Sequence, residues 1–155
     1  MLVCTCSIWL PIAEACLGYT QVSAMADAYL HPAAFRALPS LPTDLLAHGA
    51  WVTIRSNATG VISLMNEERL SAIRALPSYR DEYVPLGVGS NLVMTIDACT
   101  VHGCFNLAHQ DPAVMARDYE IAQALVDAGI FTVDPTPTVA ATPLEKKVMR
   151  PVDVQ

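Results

Sequence analysis

The sequence has little charge. Of its 155 residues only 15% are Asp, Glu, Lys or Arg, against about 25% in a typical soluble domain, and 53% are hydrophobic. This composition excludes intrinsic disorder, which requires low hydrophobicity and high charge. The net charge of -6 argues against unaided binding to nucleic acid or to an anionic membrane. Five cysteines exclude a dense disulfide scaffold, and their odd number leaves one thiol free, which favours a cytoplasmic location.

The sequence also lacks the motifs of common enzyme classes. It contains no G-x-S-x-G nucleophile turn, no P-loop, no C-x-x-C pair and no H-E-x-x-H zinc motif. It has no internal repeats and no heptads. No motif therefore identifies a substrate or a reaction.

The chain length fits one ordinary domain, which we predict over residues 25–134. Residues 1–24 are a leader of uncertain status, because they are mostly apolar but lack the basic start of a signal peptide. Three alternatives stay open for this leader: a disordered or artefactual extension before Met25, a packed part of the domain, or a secretory signal. Residues 135–155 contain four prolines and are predicted to form an extended tail.

Alternating hydrophobic residues predict the strands. Two β-branched runs within residues 50–65, separated by a loop that ends in Gly60, predict a hairpin. Alternation over residues 92–98 predicts a half-buried strand, with residues 101–107 as its hairpin partner. We also predict a final strand over residues 130–133.

Capping residues predict two main helices. Asn66 caps the first, which Pro77 ends. Asp111-Pro112 begin the second, and Gly129 follows its end. One face of the second helix is apolar, and its charged residues, including Asp118, are expected mostly on the other face. The apolar positions are Val114, Met115, Ile121, Ala122, Leu125 and Val126.

The remaining segments are predicted to be short or irregular. A brief helix is expected over residues 44–48, with Thr43 as its cap. Residues 31–43 contain three prolines and are expected to be irregular. Residues 78–85 are expected to be a polar connection between elements.

Together these elements predict an α+β fold, with two main helices on one face of a mainly antiparallel sheet of about five strands. The element order over residues 43–133 is similar to that of small dimeric regulatory modules of the roadblock and longin type. It also loosely resembles secretion chaperones. The resemblance rests on element order alone and implies a dimeric regulatory role.

The segment over residues 97–109 is the strongest candidate for chemistry. Four potential metal ligands lie within eleven residues of it: Cys99, His102, Cys104 and His109. Zinc prefers thiolate and imidazole ligands, although the spacing C-x2-H-x-C-x4-H matches no zinc pattern. A thiol site is a second interpretation, with Cys99 or Cys104 as nucleophile, His102 as base and Asp97 as orienting carboxylate. The simpler interpretation is two buried thiols and two ordinary polar histidines.

We expect a non-catalytic interaction or regulatory module that forms a homodimer, because low charge leaves apolar surface for a partner. Its dimer surface is expected at a sheet edge or on the final helix. The alternative is a small enzyme or zinc-binding protein that uses residues 97–109. A third alternative is a small-ligand binder in which Trp51, Tyr79 and Tyr83 line a pocket. No other cofactor, no nucleic acid and no membrane partner is expected.

Overall fold

The structure is a computed structural model that describes residues 9–41 and 44–135. In these ranges the helices are α1 (Leu10–Leu17), α2 (Gln21–Leu30), α3 (Pro32–Ala37), α4 (Glu67–Arg74) and α5 (Pro112–Asp127). The strands are β1 (His48–Thr53), β2 (Gly60–Met65), β3 (Tyr79–Tyr83), β4 (Asn91–Leu92), β5 (Cys104–His109) and β6 (Phe131–Pro135). The predicted α+β class is confirmed. No helix in the described ranges is long and apolar enough to cross a lipid bilayer.

The strands form two sheets, and all their pairings are antiparallel. Sheet A has the order β1-β5-β3, and sheet B has the order β4-β2-β6. Both strands predicted within residues 50–65 are present, but the predicted hairpin between them is wrong. β1 pairs with β5 along its whole length, and the backbone bonds of Ile54 to Gly103 and of His102 to Ile54 continue that pairing. β2 therefore does not pair with β1 and belongs to sheet B.

Both faces of sheet A are covered. Val52, Phe105 and Leu107 belong to the main core, which α4 and α5 complete. Because side chains alternate along a strand, Gly49 lies on the opposite face, against α1. A Cβ atom on Gly49 would lie 2.5 Å from Cγ2 of Ile12, so glycine permits this close approach. The middle strand β5 is consequently buried from Cys104 to Ala108.

The two main helices have the predicted bounds to within a residue or two. Oδ1 of Asn66 accepts a hydrogen bond from the backbone N–H of Arg69 at 3.0 Å and caps α4. Oδ1 of Asp111 accepts from the N–H of Ala113 at 2.8 Å and caps α5. Arg69 also donates to backbone carbonyls just beyond the end of α5, which ties the two helices together. These local capping predictions are confirmed.

The predicted strand over residues 92–98 is wrong beyond Leu92. The backbone N–H groups of Met94 and Thr95 donate to Thr59 and Ser56 of the preceding loop instead of to a strand. A short 3-10 helix follows over Ala98–Thr100. The second half of the predicted hairpin is a strand, β5, but its neighbours are β1 and β3.

Three other local predictions are also wrong. Residues 44–48 form no helix, because the chain there bends into β1, and Thr43 lies outside the described residues. Residues 32–37 form α3, since a proline is well suited to the first turn of a helix. Residues 79–83 form β3, the edge strand of sheet A, where polar side chains reach solvent. The predicted tail beyond residue 135 lies outside the described residues.

Candidate functional site

The carboxylate of Asp97, which was predicted to orient His102, caps the 3-10 helix that follows it. Its Oδ1 accepts hydrogen bonds from the backbone N–H groups of Cys99 at 2.9 Å and Thr100 at 3.0 Å. The side chain of Thr100 in turn accepts from the N–H of Asp97 at 3.0 Å, which completes a capping box. The carboxylate therefore stabilises the 3-10 helix rather than an imidazole.

The predicted thiols and base have separate environments. Cys99 is exposed, whereas Cys104 is fully buried at the start of β5. Burial raises the pKa of the Cys104 thiol. A thiol with a raised pKa is a poor nucleophile. His102 is 7% exposed, and its Nε2 donates to the carbonyl oxygen of Val93 at 2.6 Å.

The four predicted metal ligands are not brought together. Cys104 and His109 lie at opposite ends of β5, and a rise of about 3.3 Å per residue separates their Cα atoms by roughly 16 Å. Nδ1 of His109 accepts from the backbone N–H of Asp111 at 3.0 Å. Across residues 9–41 and 44–135, no group of three or more His, Cys, Asp or Glu side chains could hold a metal ion.

The aromatic residues proposed to line a pocket face different surroundings. The ring of Trp51 packs on that of Trp9, with centroids 4.4 Å apart and an interplanar angle of 53°. Tyr79 packs against the main core, which lies on the other face of sheet A. Tyr83 is exposed at the end of β3. The sheet thus separates Trp51 from Tyr79.

The prediction that Asp118 lies on the charged face of α5 is wrong. Asp118 is fully buried, and its Oδ2 accepts from the backbone N–H of Ser78 at 3.0 Å. Its Oδ1 accepts from Nε and Nη2 of Arg117 at 3.0 and 2.8 Å. Burial alone would raise the pKa of Asp118, but these hydrogen bonds outweigh it and hold the pKa below its usual value. Asp118 shares a helix face with the buried Met115 and Ala122, and that spacing could have indicated its burial.

An exposed apolar surface lies on the N-terminal helices. α2 and α3 pack on each other, and none of their residues is buried. Their large apolar side chains are exposed, and we name them the α2–α3 patch: Val22, Met25, Tyr29, Leu30 and Phe35. Val22, Met25 and Tyr29 follow the spacing i, i+3, i+7 and therefore share one face of α2.

Sequence signals for these helices are present. Oγ1 of Thr20 accepts from the N–H of Ser23 at 3.0 Å, and Oγ of Ser23 accepts from the N–H of Thr20 at 2.8 Å. This capping box begins α2, and Pro32 begins α3. The same segment also carries opposing signals, since its apolar stretch is typical of a leader and its prolines are typical of a loop.

Comparison with known proteins gives one partial similarity. No protein-family model matches this sequence, and no solved structure matches it. The chain is similar to dapdiamide A synthase of Enterobacter agglomerans, with 30% identity over 108 residues. The similarity covers 68% of this chain and 25% of the synthase. The chain thus spans about a quarter of the length of the curated relative that it matches.

Proposed function

We propose that this chain is a non-catalytic interaction module that forms a homodimer through the α2–α3 patch. The patch itself is the observation that carries the proposal. Isolated helices shorter than about 12–15 residues are marginal in water, and most helix stability in proteins comes from packing an apolar face. α2 has 10 residues and α3 has 6, and within the described part of the chain neither helix has a buried residue. A second copy would supply the missing packing.

The charge distribution around the patch is compatible with self-association. Asp27 is the one charged residue of α2, and its Oδ1 lies 3.1 Å from Nδ1 of His31. Two copies related by a twofold axis place the same patch on both sides of the interface. The five residues of the patch carry no charge, and the charged residues of the two helices, Asp27 and Arg36, have opposite signs.

The environment of the Cys and His residues supports a non-catalytic role. Asp97 caps a helix, His102 bonds a backbone carbonyl, and Cys104 is buried. The partial similarity to a synthase supports a modular role, since the similar region is one quarter of that longer protein. We propose that the module joins chains or domains of such a synthase and leaves the chemistry to other parts. The free thiols of Cys16, Cys99 and Cys104 suit the reducing cytoplasm.

Light scattering of the purified full chain tests the proposal. The wild-type chain should have twice the 16.7 kDa mass of one copy at micromolar concentration. Tyr29→Glu should give the monomer mass, because it puts a charge into the centre of the apolar interface. Leu64→Glu is the matched control, since Leu64 is also exposed but lies on β2 in sheet B. Circular dichroism shows whether each variant folds. A monomeric wild-type chain, or a dimeric Tyr29→Glu variant, would contradict the proposal.

A further inference from the structure

A second feature is an open surface groove of about 530 Å³ beside α1, which we name the cavity. It is lined by side chains of α1, of the segment before β1 and of sheet A, and its polar lining residues are exposed to solvent. Its lining includes two groups of opposite charge, Glu14 and Arg80, and one amide, Gln110. The cavity does not involve the α2–α3 patch.

Arg80 is held in place but keeps free donors. Its Nε donates to the backbone carbonyl of Ala108 at 3.1 Å, which fixes the guanidinium at the edge of sheet A. Within residues 9–41 and 44–135, no carboxylate forms an ion pair with it. The two Nη atoms are therefore available. A guanidinium presents parallel N–H groups that match a carboxylate in geometry and charge.

Glu14 supplies the complementary charge. It lies on α1 and lines the same cavity, and its carboxylate forms no ion pair within the described part of the chain. Glu14 and Arg80 do not pair with each other although they share the cavity. A bound carboxylate alone would be repelled by Glu14, and a bound amine alone would be repelled by Arg80. A ligand that carries both charges satisfies both residues.

We propose that this cavity binds a small zwitterion, a free amino acid or a dipeptide, with its carboxylate on Arg80 and its ammonium group on Glu14. The apolar lining residues Pro11, Ala15 and Leu46 would contact an apolar side chain of the ligand. The amide of Gln110 can donate to the carboxylate or accept from the ammonium group. This site does not depend on self-association.

Calorimetric titration of the full chain tests the site with defined probes. L-leucine and L-alanyl-L-alanine are the zwitterions. Isocaproate and isoamylamine have the leucine skeleton but carry only the carboxylate or only the amine. We expect saturable binding of at least one zwitterion, and at least about tenfold weaker binding of each singly charged probe. If neither zwitterion binds saturably, or if isocaproate binds as tightly as leucine, the proposal is overturned.

Three variants test which residue binds each charged group of the ligand. Arg80→Gln should weaken zwitterion and isocaproate binding about tenfold or more and should strengthen isoamylamine binding, because it removes the repulsion of the amine. Glu14→Gln should weaken zwitterion and isoamylamine binding and should strengthen isocaproate binding, because it removes the repulsion of the carboxylate. Glu120→Gln, an exposed carboxylate on α5, is the control that should change nothing. Wild-type zwitterion affinity in both Arg80→Gln and Glu14→Gln would overturn the proposal.

Two further measurements separate this site from structural effects. If Arg80→Gln fails to fold, Arg80→Lys keeps the positive charge without the planar guanidinium and should still weaken zwitterion binding. Undiminished zwitterion binding by a folded Arg80→Lys chain would count against guanidinium recognition. The Tyr29→Glu chain should bind the zwitterion as the wild type does. Retained binding in a monomer therefore distinguishes the ligand site from the proposed dimer.

Discussion

The buried carboxylate of Asp118 should stabilise the fold measurably. Asp118→Ala removes the acceptor of the Ser78 N–H and leaves that donor buried without a partner, which costs about 1–3 kcal/mol. The Arg117 side chain is 58% exposed, so its guanidinium regains water and adds little. We therefore expect a loss of about 1–3 kcal/mol in the free energy of unfolding. Asp118→Asn should lose less, because an amide oxygen can still accept from Ser78.

Urea unfolding at several pH values measures this contribution. Because the folded-state pKa of Asp118 is lowered, its contribution is full above the unfolded pKa of about 3.9 and is lost as pH falls through the lower folded pKa. The difference in the free energy of unfolding between the wild-type and Asp118→Ala chains should therefore become smaller in that acidic range. Glu120→Ala, on the exposed side of α5, should stay within about 0.5 kcal/mol of wild type. An Asp118→Ala loss as small as that of the control would refute the reasoning.

Two further predictions concern local structure. Iodoacetamide should label the exposed Cys99 in the native chain but the buried Cys104 only on unfolding, because burial also raises the pKa of the Cys104 thiol. Peptide mass spectrometry distinguishes the two labelled cysteines. Rapid labelling of Cys104 in the native chain would contradict its burial. Gly103→Ala should destabilise the chain by about 1–3 kcal/mol in urea unfolding, since Gly103 has φ +142° and its added Cβ would lie 2.3 Å from the carbonyl oxygen of Tyr83. Gly87→Ala, where a Cβ meets no described atom within 4 Å, should change stability little.

Helix ends could be predicted from the sequence because their causes are local. The Asn66 cap, the Asp111-Pro112 start and Gly129 act on backbone groups within one turn. Each of these helix-end signals can be recognised without knowing which distant residues pack nearby. The same reasoning would have found α2 from its Thr20–Ser23 capping box, had the apolar N-terminal stretch not suggested a leader.

Strand pairing could not be predicted because it depends on residues far apart in sequence. The alternation over residues 92–98 is typical of a strand, but beyond Leu92 no neighbouring strand bonds to it. The four predicted metal ligands lie apart for a related reason. Closeness in sequence grouped Cys104 with His109, whereas an extended strand separates them. Glu14 and Arg80 share a cavity only because α1 packs on sheet A, which no local pattern indicates.

The central position of β5 also determines when sheet A can form. β1 is paired in the register His48 to His109, so the first strand needs a partner that is synthesised much later. β3 depends on the same strand. Pairings between such distant segments slow folding, because the loop must close before the contacts stabilise it. During synthesis, the apolar residues Val52 and Ile54 therefore stay without their strand partners until residues 102–105 have left the ribosome. A chain that ends before Cys104 cannot assemble sheet A and exposes a strand edge that favours aggregation.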